Sequence, residues 1–552
     1  MGKRIKYLSI VTASLLLWGC GEDPVEEIVP TFKSLSVDGT EWVLEKNGAI
    51  DIPFTVKDEG FAFNYTVGSA SCQISLLLQG GGQPEFFSLS EVKKGPGDGE
   101  YVASVKDLGI EDMYREEVRL AMTVHPGTAK ESIILSTPFT LLSESALSGR
   151  VIVRTGLPVV YLKTSGPVVS KENYVDGTMS IVGAQNEEDN IEGLVCSVRG
   201  RGNTTWYWPK KPYLIKLDEK ASVLGMPKHK RWILLANFMD RTMMRNLVSM
   251  KVASMTGLAW SPRCQSVEVV MNDKHIGNYL LIEQVRVDKN RLNITEMKPE
   301  DNSGEALTGG YLLELDFHYD NLVQWKDPHG QTAQWIGGTN QGIPFGIKSP
   351  DEEEVTPQQV QYIKDYIYEV AETLYGSDFK DPDNGYAKYL DVDSFVDYWI
   401  IFEVMGNHEL GNPGSVYMHK DRGGKLTAGP VWDFDWGVLS YNTSPQARTG
   451  LINRNAIWYA RLFEDPAFKQ KVKDRFNELL PKLRTIPDFM EESRVALSKS
   501  AELNFNLWNP AEDASQNGGR IINGDENMSF DSAVDRLIDI YEERLKVIPA
   551  NL

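Results

Sequence analysis

The change of texture near residue 150 constrains this chain more than any other feature. Before it, short apolar or alternating stretches (Ile50-Asp-Ile-Pro-Phe-Thr-Val56, Cys72-Gln-Ile-Ser-Leu-Leu-Leu78, Val118-Arg-Leu-Ala-Met-Thr-Val124, Ser132-Ile-Ile-Leu-Ser136) are separated by glycine-rich turns such as Gly80-Gly-Gly82 and Gly95-Pro-Gly-Asp-Gly99. Strands at that spacing predict an all-β, immunoglobulin-like sandwich over residues 31–148. After it, helical periods and dense aromatics predict an α+β domain over residues 149–552. Thr356 before Pro357 reads as a helix cap with proline in the first turn, followed by Val360, Ile363, Ile367, Val370, Ala371 and Leu374 on one face. Asp240 reads as the cap of a helix through Met244, Leu247, Val248, Lys251 and Met255 that stops at Gly257. Phe395, Tyr398, Trp399 and Phe402 share a helical face between Ser394 and Met405, and the chain from about 529 is helical with Leu537, Ile538, Tyr541, Leu545 and Ile548 inward. A chain of 552 residues exceeds what one core organises, so two or more domains follow.

The first twenty residues read as a signal. Lys3, Arg4 and Lys6 precede an apolar run from Tyr7 to Trp18 that is too short to span a bilayer. It ends in Leu17-Trp18-Gly19-Cys20, which resembles a bacterial lipobox, so Cys20 is the expected lipidation site. The acidic tether over residues 21–30 resembles stretches that send some Bacteroidetes lipoproteins to the cell surface. The expected location is therefore the cell envelope, lipid-anchored at the outer membrane, with no other membrane attachment. The net charge of −20 repels phosphate backbones, which argues against a nucleic-acid partner. Beyond Cys20 only Cys72, Cys196 and Cys264 remain. Three separated cysteines make no metal cluster or disulfide framework, and buried free thiols are expected, with Cys196–Cys264 the one pair to consider.

Four clusters carry candidate chemistry. Arg199-Gly-Arg-Gly-Asn-Thr-Thr-Trp-Tyr-Trp-Pro-Lys-Lys-Pro-Tyr-Leu-Ile-Lys216 combines small residues with Arg201, Lys210, Lys211 and Lys216, a composition suited to an anion but equally to a solvated basic hairpin. Glu283 sits in the apolar strand Gly277-Asn-Tyr-Leu-Leu-Ile-Glu-Gln284 and needs a cationic partner, either a structural ion pair or a lysine that positions a phosphate. The loop Gly406-Asn-His-Glu-Leu-Gly-Asn412 follows the aromatic helix. A hairpin formed by Ser415–Lys420 and Leu426–Val431 returns the chain beside it, ending in Trp432-Asp-Phe-Asp-Trp-Gly437. On an extended segment Asp433 and Asp435 point to one side, and their mutual repulsion favours a divalent cation. Oxygen ligands select Mg²⁺ or Mn²⁺, with a Ca²⁺-stabilised structural loop as the alternative.

These segments, in order with Leu157-Pro-Val-Val-Tyr161, Ser170-Lys-Glu-Asn-Tyr174, Trp232-Ile-Leu-Leu-Ala-Asn-Phe-Met-Asp240, Met244-Arg-Asn246 and Gly309-Gly-Tyr-Leu-Leu-Glu314, resemble the spore-coat protein H (CotH) kinases over roughly residues 150 to 550. The resemblance implies a divergent protein-kinase-like domain that uses ATP and a divalent metal to phosphorylate Ser or Thr of a protein substrate. It implies Asp433 and Asp435 as the metal pair with Asn412 assisting, and Arg201, Lys211 and Lys216 as nucleotide-binding residues, with Glu283 the lysine's partner. The family's catalytic loop usually carries aspartate; here it reads Asn407-His408-Glu409, so Glu409, with Asn407 and Asp433, is the catalytic candidate. The competing reading is a catalytically weak surface adhesin or scaffold for protein or glycan ligands. A glycoside hydrolase ranks third, because its two acids must face each other across a cleft.

Overall fold

The computed structural model describes residues 155–317, 342–508 and 523–552, with a few residues at 151, 153, 323–327 and 329; before residue 150 it describes 115–135 and a set of strands. The signal segment, Cys20 and the acidic tether lie outside the described residues. The chain divides into two compact units, 1–148 and 149–552.

The first unit contains two sheets. One runs β2 (Thr40–Val43), β1 (Thr31–Val37), β4 (Phe61–Thr66), β8 (Asp98–Ala103), β7 (Lys93–Lys94). The other runs β3 (Ile50–Phe54), β11 (Phe139–Ser143), β9 (Arg115–Val124), β5 (Cys72–Leu78), β6 (Glu85–Ser88), with β10 (Ser132–Leu135) also on β9. The described residues of the apolar stretches recognised in the sequence fall on strands.

The second unit opens with a closed barrel in the order β12 (Val159–Thr164), β13 (Val175–Val182), β14 (Ile191–Gly200), β15 (Tyr213–Val223), β16 (Met226–Leu235), β18 (Lys274–Glu283), β17 (Cys264–Met271). A parallel β12–β17 pairing closes it, with Val160 opposite Val269. Alternation on these strands builds two cores. Tyr213, Ile215, Leu217, Trp232 and Leu234 fill the barrel, while Leu214, Ile233, Leu235, Leu280 and Ile282 face outward into a larger core shared with the helices. Cys196 and Cys264 are free thiols, each pushed up to about 12, chiefly by burial.

A second sheet, β20 (Gln324–Asp327), β21 (Ile343–Ser349), β19 (Tyr311–Leu315), β22 (Val416–Lys420), β23 (Leu426–Ala428), lies within the larger core. The Pro357–Tyr375 helix starts on a reciprocal cap: Thr356 accepts from Gln359 N–H and the Gln359 side chain accepts from Thr356 N–H. Asp391 caps the Val392–Val404 helix, whose residues from Ser394 to Val404 are all buried. Ser529 caps the terminal Phe530–Asn551 helix. The helix expected after Asp240 spans Arg245–Ala253. Asp240 lies five residues before it, yet its carboxylate accepts the Arg245 N–H at 2.8 Å, so it serves the helix end from a preceding turn. No helix among the described residues is long and apolar enough to cross a membrane.

Candidate functional site

Strand β23 ends at Ala428, not at Val431 as the hairpin pattern suggested, and residues 429–437 follow as irregular chain. Asp433 adopts φ +62°, in the left-handed region. Period-two alternation therefore does not place Asp433 and Asp435, which corrects the extended-segment expectation. The segment is pinned by other means. Phe434 is fully buried, with its ring 4.7 Å from Phe402 in an edge-on contact, and its N–H donates to Asn246 Oδ1 at 2.9 Å. Gly437, at φ +70°, leaves no room for a side chain: a Cβ there would lie 2.6 Å from Thr443 Oγ1 and 2.9 Å from His408 Cε1.

The resulting cluster is strongly acidic. Asp433 and Asp435 are each half-buried. Asp435 is pushed up to about 7 by burial first, then by the charges of Asp433 and Asp240, with Arg201 and the Asn246 amide holding it down. Asp433 is raised by burial, with Asp316 and Glu314 adding to the rise and Arg201 opposing it. Glu409 is raised well above the carboxylate range, by burial and then by Asp433, Asp435 and Asp316. Its Oε2 is buried with no protein partner, while its N–H donates to Asn407 Oδ1 at 2.9 Å. Asn407 is fully buried, its carbonyl accepting from Asn453 Nδ2 at 2.8 Å and its own Nδ2 unpartnered. Asn412 is exposed on the same loop.

Arg201 is the cation that acts on both aspartates, and its guanidinium stacks 5.7 Å from the Trp432 ring. A second group of cations lies on the outer barrel wall around Tyr174. Arg199 stands 4.9 Å and Lys216 5.9 Å from the centre of its ring, and Arg231 Nη1 donates to its hydroxyl at 3.0 Å. Lys216 and Arg231 are opposite one another on β15 and β16. Leu214 and Ile233, two residues along on the same outward face, are already in the core that carries the helices. The cations thus border the edge where the barrel wall leaves that core. Among the described residues none of Arg199, Lys216 and Arg231 has a carboxylate within ion-pairing distance.

Two other sequence candidates are placed elsewhere. Glu283 is fully buried at the end of β18 and takes Arg263 at 2.9 Å together with Arg291, which itself stacks 4.7 Å from Trp232. The expected lysine–glutamate pair is therefore not formed: Glu283 is already saturated by two guanidinium groups. Lys211 instead closes its own loop, its Nζ donating to Trp206 O at 2.8 Å. The neighbouring Lys210 is buried against Asn278 O, Asn504 Oδ1 (2.8 Å) and the Tyr279 ring (4.5 Å), and burial pulls it down to about 7.

Several site residues escaped the sequence reading. Asp316 and Glu314 flank the acids from the end of β19; Asp316 accepts the Ser415 N–H at 3.1 Å, and Glu314 pairs with Lys348 at 2.7 Å. Their Glu-Leu-Asp spacing matches Asp433-Phe-Asp435, and that was the available signal. Asn246, one residue inside a helix, carried no signal of its own.

The arrangement suits a divalent cation. Two carboxylates raised by burial first and by neighbouring acids second gain when an ion neutralises them. Among the described residues no three His, Cys, Asp or Glu side chains converge to ligate an ion alone. A two-carboxylate set is the kind Mg²⁺ accepts, since it completes its shell with water and substrate phosphate.

The second unit is thus a mixed α+β domain with an acidic centre opposed by Arg201. Residues 198–548 match the family model described as CotH kinase protein, and the chain belongs to that family. No curated protein matches the chain.

Proposed function

We propose that residues 149–552 form a divergent kinase-like domain that transfers the γ-phosphoryl group of ATP to Ser or Thr hydroxyls of a protein substrate. The observation that carries this reading is the under-compensated acid group beside Arg201. Asp433 and Asp435 would hold a divalent cation, Mg²⁺ or Mn²⁺, whose chemistry there would be to neutralise phosphate charge. Asn412 is placed on the adjoining loop to assist. Arg201 and Lys216, with Arg199 and Arg231 beside it, receive the polyphosphate. In this reading Glu409 takes the acceptor proton: the hydroxyl oxygen bonds to the γ-phosphorus, the bond from that phosphorus to the β–γ bridging oxygen breaks, ADP leaves, and the proton passes to the Glu409 carboxylate. Burial and the neighbouring acids hold that carboxylate well above its ordinary range, and a cation held by Asp433 and Asp435 would oppose that rise.

In this reading the first unit is an immunoglobulin-type sandwich acting as a spacer, and Cys20 anchors the protein in the cell envelope, at the outer membrane. The test compares the soluble chain from residue 21 with its Asp433→Ala variant. Mn²⁺ with ATP should raise the melting temperature and label the wild type from γ-labelled ATP, and the variant should show neither. No shift and no label in both proteins returns the molecule to an adhesin or scaffold.

A further inference from the structure

No strand ladder holds residues 433–438, so something else must fix the direction of the Asp435 carboxylate. The chain supplies it from far away in sequence. Asn523, Asp525 and Glu526 are each about 1% exposed, an unusual depth for three polar residues within one short turn. Asn523 Oδ1 accepts the Gly437 N–H at 3.0 Å. Its Nδ2 donates to Met239 O at 3.0 Å and reaches Asp435 O at 3.4 Å. Its carbonyl accepts from Ser440 Oγ at 2.8 Å, and its N–H is held by Glu526 Oε1 at 2.8 Å. Asp525 accepts from Arg245 Nη2 at 2.6 Å, and Arg245 Nε donates to Val438 O at 2.8 Å while its other arm grips Asp240. The acid segment is thereby tied at residues 435, 437 and 440 directly, and at 438 through Arg245, to one turn of the C-terminal chain.

We infer that Asn523 is a positioning residue for Asp435. Its side-chain amide takes the place of a neighbouring strand, offering one acceptor and two donors where irregular backbone would otherwise leave them unmet. Asn246 performs the same service one residue earlier, at the Phe434 N–H. Between them the two amides fix the 433–434 peptide through the Phe434 N–H and the two peptides after Asp435 through the Asp435 carbonyl and the Gly437 N–H, so the backbone that carries the Asp435 carboxylate is set before any ligand arrives. The turn also brings Asp525 onto Arg245, which locks the same segment to the Arg245–Ala253 helix. The C-terminal turn is in this way a condition for the ion site, acting through the Asp435 carbonyl, the Gly437 N–H and the Ser440 hydroxyl. The inference rests on the reading of Asp433 and Asp435 as a cation pair.

The experiment uses the full soluble chain and three variants, Asn523→Ala, Asn523→Asp and Asn504→Ala. Asn504 is a buried asparagine that serves Lys210 and so reports general destabilisation. Mn²⁺ affinity is read by electron paramagnetic resonance, amide hydrogen exchange over residues 434–440, and the unfolding midpoint. Asn523→Ala should weaken Mn²⁺ about 10–100-fold, as loss of an outer support typically does, and should speed exchange at Gly437. Asn523→Asp keeps the acceptor for Gly437 and loses both donors, so it should fall between; it also stands in if the alanine variant does not fold. Asn504→Ala should lower the midpoint while leaving Mn²⁺ affinity and exchange at 434–440 unchanged. Wild-type affinity in the Asn523 variants, or an equal loss in Asn504→Ala, overturns the inference. Should the wild type itself bind no Mn²⁺, the cation reading fails and exchange decides alone: selective acceleration at Gly437 supports the positioning role, and its absence removes it.

Discussion

Glu283 and the Asp433–Asp435 pair are both acids drawn into the second unit, and they have opposite surroundings. Glu283 meets two arginines and the Arg263 backbone N–H, with every oxygen occupied. Asp433 and Asp435 face Glu409, Asp316, Glu314 and Asp240, with Arg201 the shared counterweight. A saturated acid is a structural joint, because nothing is left for a ligand to satisfy. An unsaturated group stores unfavourable repulsion that an incoming cation relieves. The difference explains why the glutamate that looked functional in the sequence is a fixture and why the aspartates are the candidate site.

The comparison predicts substitutions of opposite sign. Glu283→Ala should have the largest effect, lowering unfolding free energy by about 3–5 kcal/mol, since it leaves the buried Arg291 without its carboxylate. Denaturant unfolding checks this, and a loss below about 1 kcal/mol would end the structural assignment.

Lys210 offers an intermediate case, a buried cation met by neutral oxygens. Its pKa is depressed to about 7 from 10.5, so between those values the unfolded chain carries the proton and the folded chain does not. Stability should therefore rise with pH through that window, by at most about 1.4 kcal/mol per pH unit from this group. The contribution is constant below and above it. Lys210→Met should remove that component, seen as a flatter dependence of the unfolding midpoint on pH.

Arg201→Gln should raise the KM for ATP about tenfold, worth about 1.4 kcal/mol, and should lower the unfolding midpoint modestly, because Asp433 and Asp435 lose their shared counterweight. Initial rates at varied ATP test it. The smallest expected effect is the most discriminating. Asp435→Asn in metal-free protein should raise stability, by about 1 kcal/mol, because it removes one of several repelling charges. The same variant should lose the Mn²⁺-induced rise in melting temperature. A drop of several kcal/mol would place Asp435 in the same category as Glu283.

The particular successes and failures of sequence reading follow one rule. The helix at 357–375, the aromatic helix and the terminal helix were legible because caps and periodicity act within a few residues. The hairpin strands Val416–Lys420 and Leu426–Ala428 were legible for the same reason. The arrangement at Asp433, with its left-handed φ, was not, because the segment's backbone is met by Asn246 and Asn523, almost two hundred and about ninety residues away in the chain. The partner of Glu283 was equally hidden: a strand pattern shows that a charge is buried and leaves open which cation meets it.

The sequence by itself determined the division near residue 150, several of the helices and the candidacy of the paired acids, all of which depend on local spacing and residue chemistry. Only the tertiary structure decided which acids remain uncompensated, that Lys216 and two arginines gather on Tyr174, and that a distant asparagine holds the acid segment. Those outcomes depend on which charges and amides meet across the fold, and Coulomb forces and hydrogen bonds act through space without regard to position along the chain.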